Sequence, residues 1–256
     1  MFQIATWNVN SLRIRLSRVL EWLESTRPDI LALQETKLTD DSFPRDEFCT
    51  AGYQAIYSGQ KTYNGVATLS KTSASNIIKD LPGYADPQRR VLCANFNGLA
   101  VLNLYVPNGA EIGSDKYTYK LEWFSHLHTY IQELLKNNRR VIILGDFNIA
   151  PEDQDVHDPL EWQGKVLVSE PERAEFRRLL SHGLKDSFRL FEQAADSYSW
   201  WDYRAASFQR NRGLRIDHIL VNTALAENCV GCRIDKSPRS LERPSDHVPV
   251  IAEFNL

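Results

Sequence analysis

Residues 2–35 read FQIATWNVN, SLRIRLSRVL, EWLESTRPDI and LALQE in succession. Phe2 to Thr6 is short, apolar and compatible with a β-strand. Leu16, Val19, Leu20 and Leu23 then recur at i, i+3, i+4 and i+7, the spacing of one helix face. Pro28 stops that helix, and Ile30 to Leu33 is a compact apolar run suited to a buried strand. Strand, helix and strand in sequence predict two parallel neighbours in one sheet, because a parallel pair needs a crossover connection. Both strands then end on one edge. Asn8 and Glu35 fall just beyond their carboxyl ends, where open α/β sheets gather ligands.

Further along, Asn64-Gly65 and Asn97-Gly98 each lie between apolar runs, a strong hairpin signal. The second predicts a hairpin of RRVLCANF and LAVLNLYVPN across Asn97-Gly98. A long helix is expected over roughly Lys116 to Lys136, with Tyr117, Leu121, Phe124, Ile131 and Leu135 near one stripe. Val141 to Leu144 reads as another buried strand, and it runs into Gly145-Asp146-Phe147-Asn148. Again an acid and an amide follow a strand. Glu172 to Leu180 predicts a second helix, closed by His182-Gly183. The remainder is expected to be strands: Ser197 to Trp201, Gly213 to Val221 and His247 to Phe254. The polar run Arg204 to Arg212 reads as an exposed connection. With no linker, charge block or low-complexity segment, one domain over residues 1–256 is expected. Both halves alternate strand and helix, which suggests a duplicated α/β sandwich.

Composition bounds the function. The chain has 256 residues, 43% hydrophobic and 25% charged, so it can bury a sizeable core and is not a disordered or collagen-like sequence. No apolar run approaches a membrane-spanning length, and the start lacks the basic and apolar regions of a signal peptide. A cytoplasmic location is expected. The net charge of -3 argues against coating nucleic acid by bulk charge, yet leaves room for a locally basic face. Cys229 and Cys232 form a C-x-x-C without a second pair, so all four cysteines read as ordinary reduced thiols rather than a zinc or redox centre.

Polar residues gather at the apparent strand ends: Asn8, Glu35, Tyr105, Asp146, Asn148, Asp217, Asp246 and His247. Taken alone, each acid is as readily a helix cap or solvated turn, and Tyr105 a core residue. Together, Glu35, Asp146, Asp246 and the amide oxygens of Asn8 and Asn148 supply oxygen ligands for a hard cation such as Mg²⁺. Zinc spacing is absent. His126 and His128, two apart on a helix, do not face each other and read as packing or surface residues. Asp217 suits an Asp–His pair, in which the carboxylate orients the imidazole and favours its charged form. His218 competes with His247 as partner, but neighbouring strand residues point to opposite faces, which favours His247.

The strings TrpAsnValAsn (7–10), LeuGlnGluThrLys (33–37), TyrValProAsnGly (105–109), GlyAspPheAsnIleAlaPro (145–151), ArgIleAsp (215–217) and SerAspHisValPro (245–249) occur in this order. On them, the chain resembles the exonuclease III family of apurinic/apyrimidinic (AP) endonucleases over essentially residues 1–256. TrpTrpAspTyrArg (200–204) and AsnArgGlyLeuArg (211–215) resemble its bacterial branch. The resemblance implies an α/β fold: a four-layer α/β sandwich of two mixed β-sheets packed face to face, with helices outside. It implies a single catalytic domain that uses Mg²⁺, with Mn²⁺ as substitute. It implies hydrolysis 5′ to an abasic site in double-stranded DNA, leaving a 3′-hydroxyl, with removal of 3′ blocking groups and 3′→5′ exonuclease action to an unspecified extent. A monomer is expected.

Carried over by position, Glu35 is the principal metal ligand, with Asn8 and Asp246 near it and Asp146, Asn148 and His247 in the wider metal set. Asp146 matches the residue that activates water, Asn148 a residue that orients it or stabilises the transition state, and His247 a phosphate contact oriented by Asp217. Tyr105 matches an active-site tyrosine. Asn10 departs from relatives that carry aspartate, so the resemblance carries no direct metal role over to it.

DNA binding needs cations on the same face. Lys61, Arg89, Arg90, Lys116, Lys120, Arg204, Arg210, Arg212 and Arg215 are candidates, each of them alone equally a solvated charge. Trp200, Leu214 and Ile216, with Tyr105, are proposed as the wall of a sugar pocket, although Leu214 and Ile216 also suit a core. Gly164, in TrpGlnGlyLys, is placed at the rim by its likeness to the family's GlyLys segment. Two other functions remain open: a metal-dependent phosphoesterase acting on lipid headgroups or RNA, and a catalytically silent DNA-binding protein on the same fold.

Overall fold

The computed structural model describes residues 1–256. The first half of the chain runs β1 (Phe2–Asn8), α1 (Leu12–Thr26), β2 (Ile30–Gln34), α2 (Arg45–Thr50), β3 (Gln54–Ser58), β4 (Val66–Ser70), β5 (Ser75–Ile78), β6 (Val91–Phe96) and β7 (Leu99–Tyr105). The second runs α3 (Asp115–Asn137), β8 (Arg140–Asp146), α4 (Pro159–Trp162), α5 (Glu170–Ser181), β9 (Leu184–Asp186), β10 (Asp217–Asn222), α6 (Thr223–Ala226), β11 (Cys229–Ile234) and β12 (Val250–Phe254). They form two six-stranded sheets, ordered β11-β12-β1-β2-β4-β3 and β5-β6-β7-β8-β10-β9. In each, one parallel pair sits among antiparallel ones: β1 with β2, and β7 with β8.

The alternation of side chains assembles four layers. Ile4, Ile30 and Ala32 of the first sheet meet Val101, Ile142 and Leu144 of the second in one buried cluster between the sheets. The intervening residues turn outward. Ala5, Trp7, Leu31 and Leu33 pack on Val19, Trp22 and Leu23 of α1. Leu102, Leu104, Val141 and Ile143 pack on Trp123, Phe124 and Leu127 of α3 and Phe176 and Leu179 of α5. The order is helix, sheet, sheet, helix, the expected α/β sandwich. A polar bridge crosses the inner layer. Gln34 Nε2 donates to Asn103 Oδ1 at 2.7 Å, and Asn103 Nδ2 donates to the Ala67 carbonyl at 2.9 Å. Buried amides satisfied this way fix the register of one sheet on the other.

Some expectations change. Leu16, Leu20, Leu121 and Leu135 are only half-buried; the buried stripes run instead through Leu12, Arg15, Val19, Trp22 and Leu23, and through Tyr117, Lys120, Trp123, Phe124, Leu127, Ile131 and Leu134. Apolar spacing alone passed over the long cationic stems that share those faces. Asn97-Gly98 is the tight hairpin, with Asn97 at φ 52° and Gly98 at φ 83°. Asn64-Gly65 instead closes the longer loop between β3 and β4. Gly65, at φ 91°, has no room for a Cβ, which would lie 2.2 Å from Thr36 Oγ1. Ser197 to Trp201 is not a sheet strand: Trp200 makes only isolated bridges to Leu214 and His247. Gly213 to Ile216 also lie outside β10, which starts at Asp217.

Candidate active site

Sheet register brings the polar residues together. Tyr105, Asp146 and Asp217 are direct cross-strand partners on β7, β8 and β10. Asp146 continues the inward-facing set Ile142 and Leu144, as Asn8 continues Ile4 and Thr6 on β1. Thus the inter-sheet layer changes from apolar to polar where the parallel strands end. His247 precedes β12, which runs antiparallel to β1 and therefore starts at the same edge. Glu35 leaves strand alternation because its backbone turns to φ 51°, and Asn148 does so at φ 49°. Such left-handed non-glycine residues are sparse and cost about 1–3 kcal/mol each, so the surrounding bonds must hold them.

The resulting geometry is dense. Asn8 Nδ2 bridges two carboxylates, donating to Glu35 Oε1 at 2.9 Å and Asp146 Oδ2 at 2.8 Å. Asn148 Nδ2 donates to the Val106 carbonyl and to Asp146 Oδ2, at 3.0 and 3.3 Å. His247 Nδ1 lies 2.8 Å from Asp217 Oδ2, and its Nε2 faces Asp146 Oδ2 at 3.7 Å. Ser199 donates to that same Asp217 oxygen at 2.7 Å and accepts from the amides of Ile216 and Asp217. His218 turns away, toward Arg215 and the Ile149 carbonyl, so His247 is the partner of Asp217.

Electrostatics separates the roles. Burial disfavours a charged His247, but Asp217 and Asp146 outweigh it and raise the imidazole to about 10. It is a cation at neutral pH. Burial raises Asp146 to about 7, with His247 pulling the other way. That is where a proton acceptor works best near neutrality. Burial and the charge of Glu35 keep Tyr105 a neutral phenol, with the Arg90 guanidinium stacked 4.6 Å above its ring. Glu35, Asp146 and His247 each place one ligand-type atom within 4.8 Å of the others. The two carboxylates offer hard oxygen donors, which suit a divalent cation such as Mg²⁺.

The profile of the Endonuclease/Exonuclease/phosphatase family matches residues 5–247. The chain belongs to that family. Within it, exodeoxyribonuclease III of Haemophilus influenzae is 38% identical, over 97% of this chain and 98% of the relative. A 3′ phosphatase from Neisseria, solved bound to product DNA hairpin, matches with a TM-score of 0.98 and 46% identity over 100% of both chains. An AP endonuclease from Archaeoglobus fulgidus matches with a TM-score of 0.96 and 39% identity, again over 100% of both.

As a member of the endonuclease/exonuclease/phosphatase family, the chain brings Glu35, Asp146 and His247 of the expected site into one cluster. Asp246 stands outside the cluster, its oxygens taken by Asn10 Nδ2 at 2.9 Å and Trp200 Nε1 at 3.0 Å. Asn8 Oδ1 accepts from the Asn10 amide and Asn148 Oδ1 from Asn108 Nδ2, so both turn nitrogens toward Asp146. Glu35 and Asp146 are the two carboxylates of the cluster. One neighbour was missed: Lys37 Nζ sits 2.8 Å from Glu35 Oε2 and 2.5 Å from Asn10 Oδ1. Its position in Glu-Thr-Lys was the only signal.

The nucleic-acid candidates divide by burial. Lys61, Lys116, Arg204 and Arg210 are exposed, Arg204 paired to Asp202. Arg89 is tied to Asp80 and Arg212 to Glu161. Lys120 and Arg215 are buried and belong to interior ion pairs, with Glu172 and with Asp155 and Asp186. Arg90 is also buried, against Tyr105. These three are corrected from DNA contacts to internal supports. Leu214 and Ile216 are at most 1% exposed and pack with Val156, Leu167 and Val168. They back Trp200 from beneath and line no surface, because their stretch turns inward toward β10. Gly164 is exposed in a cleft of about 610 Å³ with Trp162, Val156 and Val168. Trp162 meets Trp200 edge to face at 6.3 Å, which connects that cleft to Asp246. No helix is long and apolar enough to cross a membrane.

Proposed function

We infer that this chain is a DNA-repair nuclease of the exodeoxyribonuclease III and AP endonuclease type, a metal-dependent phosphodiesterase. The observation that carries this reading is the Asp146–His247–Asp217 line at the end of the inter-sheet layer, with Glu35 beside it. The named activities of the relatives, nuclease, 3′ phosphatase and AP endonuclease, all break a phosphate ester bond. The proposed substrate is duplex DNA carrying an abasic site or a blocked 3′ end. The chain is proposed to work as a single catalytic domain, as a monomer, in the cytoplasm.

Glu35, with Asp146, would hold Mg²⁺. When bound, the cation would stabilise negative charge on the phosphoryl and leaving oxygens. Asp146 accepts a proton from the attacking water, its range near 7 suiting that task. His247, kept protonated by Asp217, donates to a non-bridging phosphate oxygen and needs no rearrangement to do so. Asn148 positions Asp146 by donating to its Oδ2. Tyr105 stays a neutral phenol and contacts phosphate as a donor.

Product analysis on three DNAs tests the reading: an internal abasic duplex, a 3′-phosphate end and an undamaged recessed 3′ end. Incision 5′ to the abasic site with a 3′-hydroxyl product is expected. Cleavage of a soluble inositol phosphate in preference to all three would sink it.

A further inference from the structure

Lys120 and Glu172 are both 0% exposed, an ion pair sealed beneath the site. A buried ammonium is costly unless all its protons are used. Here each has one acceptor: Glu172 Oε1, the Asn148 carbonyl at 2.7 Å and the Asn108 carbonyl at 3.1 Å. The two carbonyls belong to residues that already touch through their side chains, Asn108 Nδ2 donating to Asn148 Oδ1 at 3.0 Å. Lys120 therefore clamps from below a pair that is joined from above. The clamp is where it is needed, since Asn148 holds φ 49° and aims its amide at Asp146.

The far end of the pair reaches a different segment. Glu172 is the third helical residue of α5, and its carboxylate accepts from the amides of Leu167 and Ser169, both at 3.1 Å. An ordinary capping glutamate is solvated; this one is buried and neutralised by Lys120. Leu167 in turn accepts from the Ala150 amide at 2.8 Å. The segment so held follows directly on Trp162 and Gly164. Gly109 closes the arrangement from above: a Cβ there would lie 3.2 Å from Lys120 Cδ and 3.1 Å from Val166 Cγ2.

We propose that Lys120 is a positioning residue for Asn148, and that its pair with Glu172 couples the Trp162–Gly164 segment to that asparagine. Neither side chain reaches substrate. Both act by fixing where the Asn148 amide stands relative to Asp146. The inference rests on the role assigned to Asn148 under the proposed function.

The test combines stability with steady-state kinetics on abasic and 3′-phosphate DNA in Mg²⁺. Lys120→Met alone leaves a buried carboxylate unpaired and should lower Tm. Lys120→Met with Glu172→Gln removes both charges, keeps a side-chain acceptor for the Leu167 and Ser169 amides and should recover much of the lost Tm. Its kcat should stay down by about 10²-fold on both DNAs, the scale of a small misplacement of a reacting group, with KM little changed. Recovery of kcat together with Tm overturns the proposal. Lys120→Arg, which keeps the charge without a single nitrogen to serve both carbonyls, is the second variant and should fold with kcat reduced; full activity in it also overturns the proposal.

Asn148→Ala, alone and with Lys120→Arg, separates this inference from the reading beneath it. Little added loss in the combined variant supports action through Asn148. A full multiplicative loss overturns the inference while leaving the role of Asn148 intact. An unchanged rate in Asn148→Ala overturns both.

Discussion

His247 lies between two carboxylates, with Nδ1 2.8 Å from Asp217 Oδ2 and Nε2 3.7 Å from Asp146 Oδ2. The first contact is a hydrogen bond and the second is not, so the ring is held on one side and free to engage a phosphate on the other. A buried imidazole alone would lose its proton. Here the acids on both sides reverse that tendency, which makes the histidine a standing cation in a water-poor site.

Removing the orienting acid should show this in a pH profile. Asp217→Asn keeps the shape but withdraws the charge that raises His247 to about 10. The imidazole should fall toward its ordinary value, and the alkaline limb of kcat/KM should move down with it. A rate loss of up to about 30-fold at pH 8 is expected from the lost proton. Measured from pH 6 to 10.5, an alkaline limb that stays in place would show that His247 does not need its proton.

Asp146→Asn removes the proton acceptor and one metal oxygen while preserving shape. The combined loss of general-base action and charge placement should lower kcat by about 10³-fold or more. DNA binding by fluorescence anisotropy should be nearly unchanged. Near-normal turnover in a folded variant would refute the assigned base.

Glu35→Ala addresses the cation directly. Mn²⁺ titration followed by electron paramagnetic resonance should show weakened binding in the absence of DNA, and turnover should fall far more than duplex affinity. Chelation with EDTA should abolish cleavage, and added Mg²⁺ restore it. Full activity in chelator would remove the metal from the mechanism.

The frame of the site was legible because it follows from simple periodicities. Strand, helix and strand over residues 2–35 placed Asn8 and Glu35 on one edge, and the opposite facing of strand neighbours chose His247 over His218. What the pattern could not supply was the third dimension of long polar side chains. Lys120 and Arg215 looked like surface cations and are interior, because each meets buried carboxylates distant in sequence, Glu172 and Asp155 with Asp186. Asp246 is held by Asn10 and Trp200, a donor pair that only the folded loops create. Leu214 and Ile216 differ from Trp200 by burial alone, which composition does not reveal.

Two histidines away from the chemistry should govern acid stability. Burial lowers both His128 and His218 to about 3, with nearby arginines adding to the effect. The unfolded chain, with ordinary imidazoles, then binds more protons than the fold between about pH 3 and 6.5. Their contribution is fully present above about pH 6.5 and is lost as pH falls toward 3. Each should withdraw about 2 kcal/mol at pH 5. His247, raised rather than lowered, contributes in the opposite sense, its stabilisation present below about 6.5 and lost toward about 10. In urea titrations at pH 5 and 7.5, His128→Phe should shrink the acid loss. An unaltered difference between the two pH values would show that His128 is not buried in its neutral form.

Gly164 bears on lesion choice. An abasic nucleotide leaves the helix at low cost because no base must be unpaired, and an enzyme that selects it needs space for a baseless sugar. Around Gly164 nothing lies within 4 Å of where a Cβ would stand, and the residue shares its cleft with Trp162, the edge-to-face neighbour of Trp200. A histidine there should project into the cleft and suppress incision at internal abasic sites. A frayed 3′ end enters by another route and should be trimmed with less loss. The backbone adds a complication, since Gly164 sits at φ 72° and any side chain strains it. Gly164→Asn supplies the control, because asparagine tolerates that conformation with a smaller side chain. Steady-state kinetics on both DNAs should show Gly164→His losing at least about 10-fold more abasic incision than 3′ trimming, a difference of about 1.4 kcal/mol between the two transition states. Gly164→Asn should stay near the parent ratio. If the two activities fall by one factor in Gly164→His, or if neither moves, Gly164 is a turn glycine and does not gate the pocket.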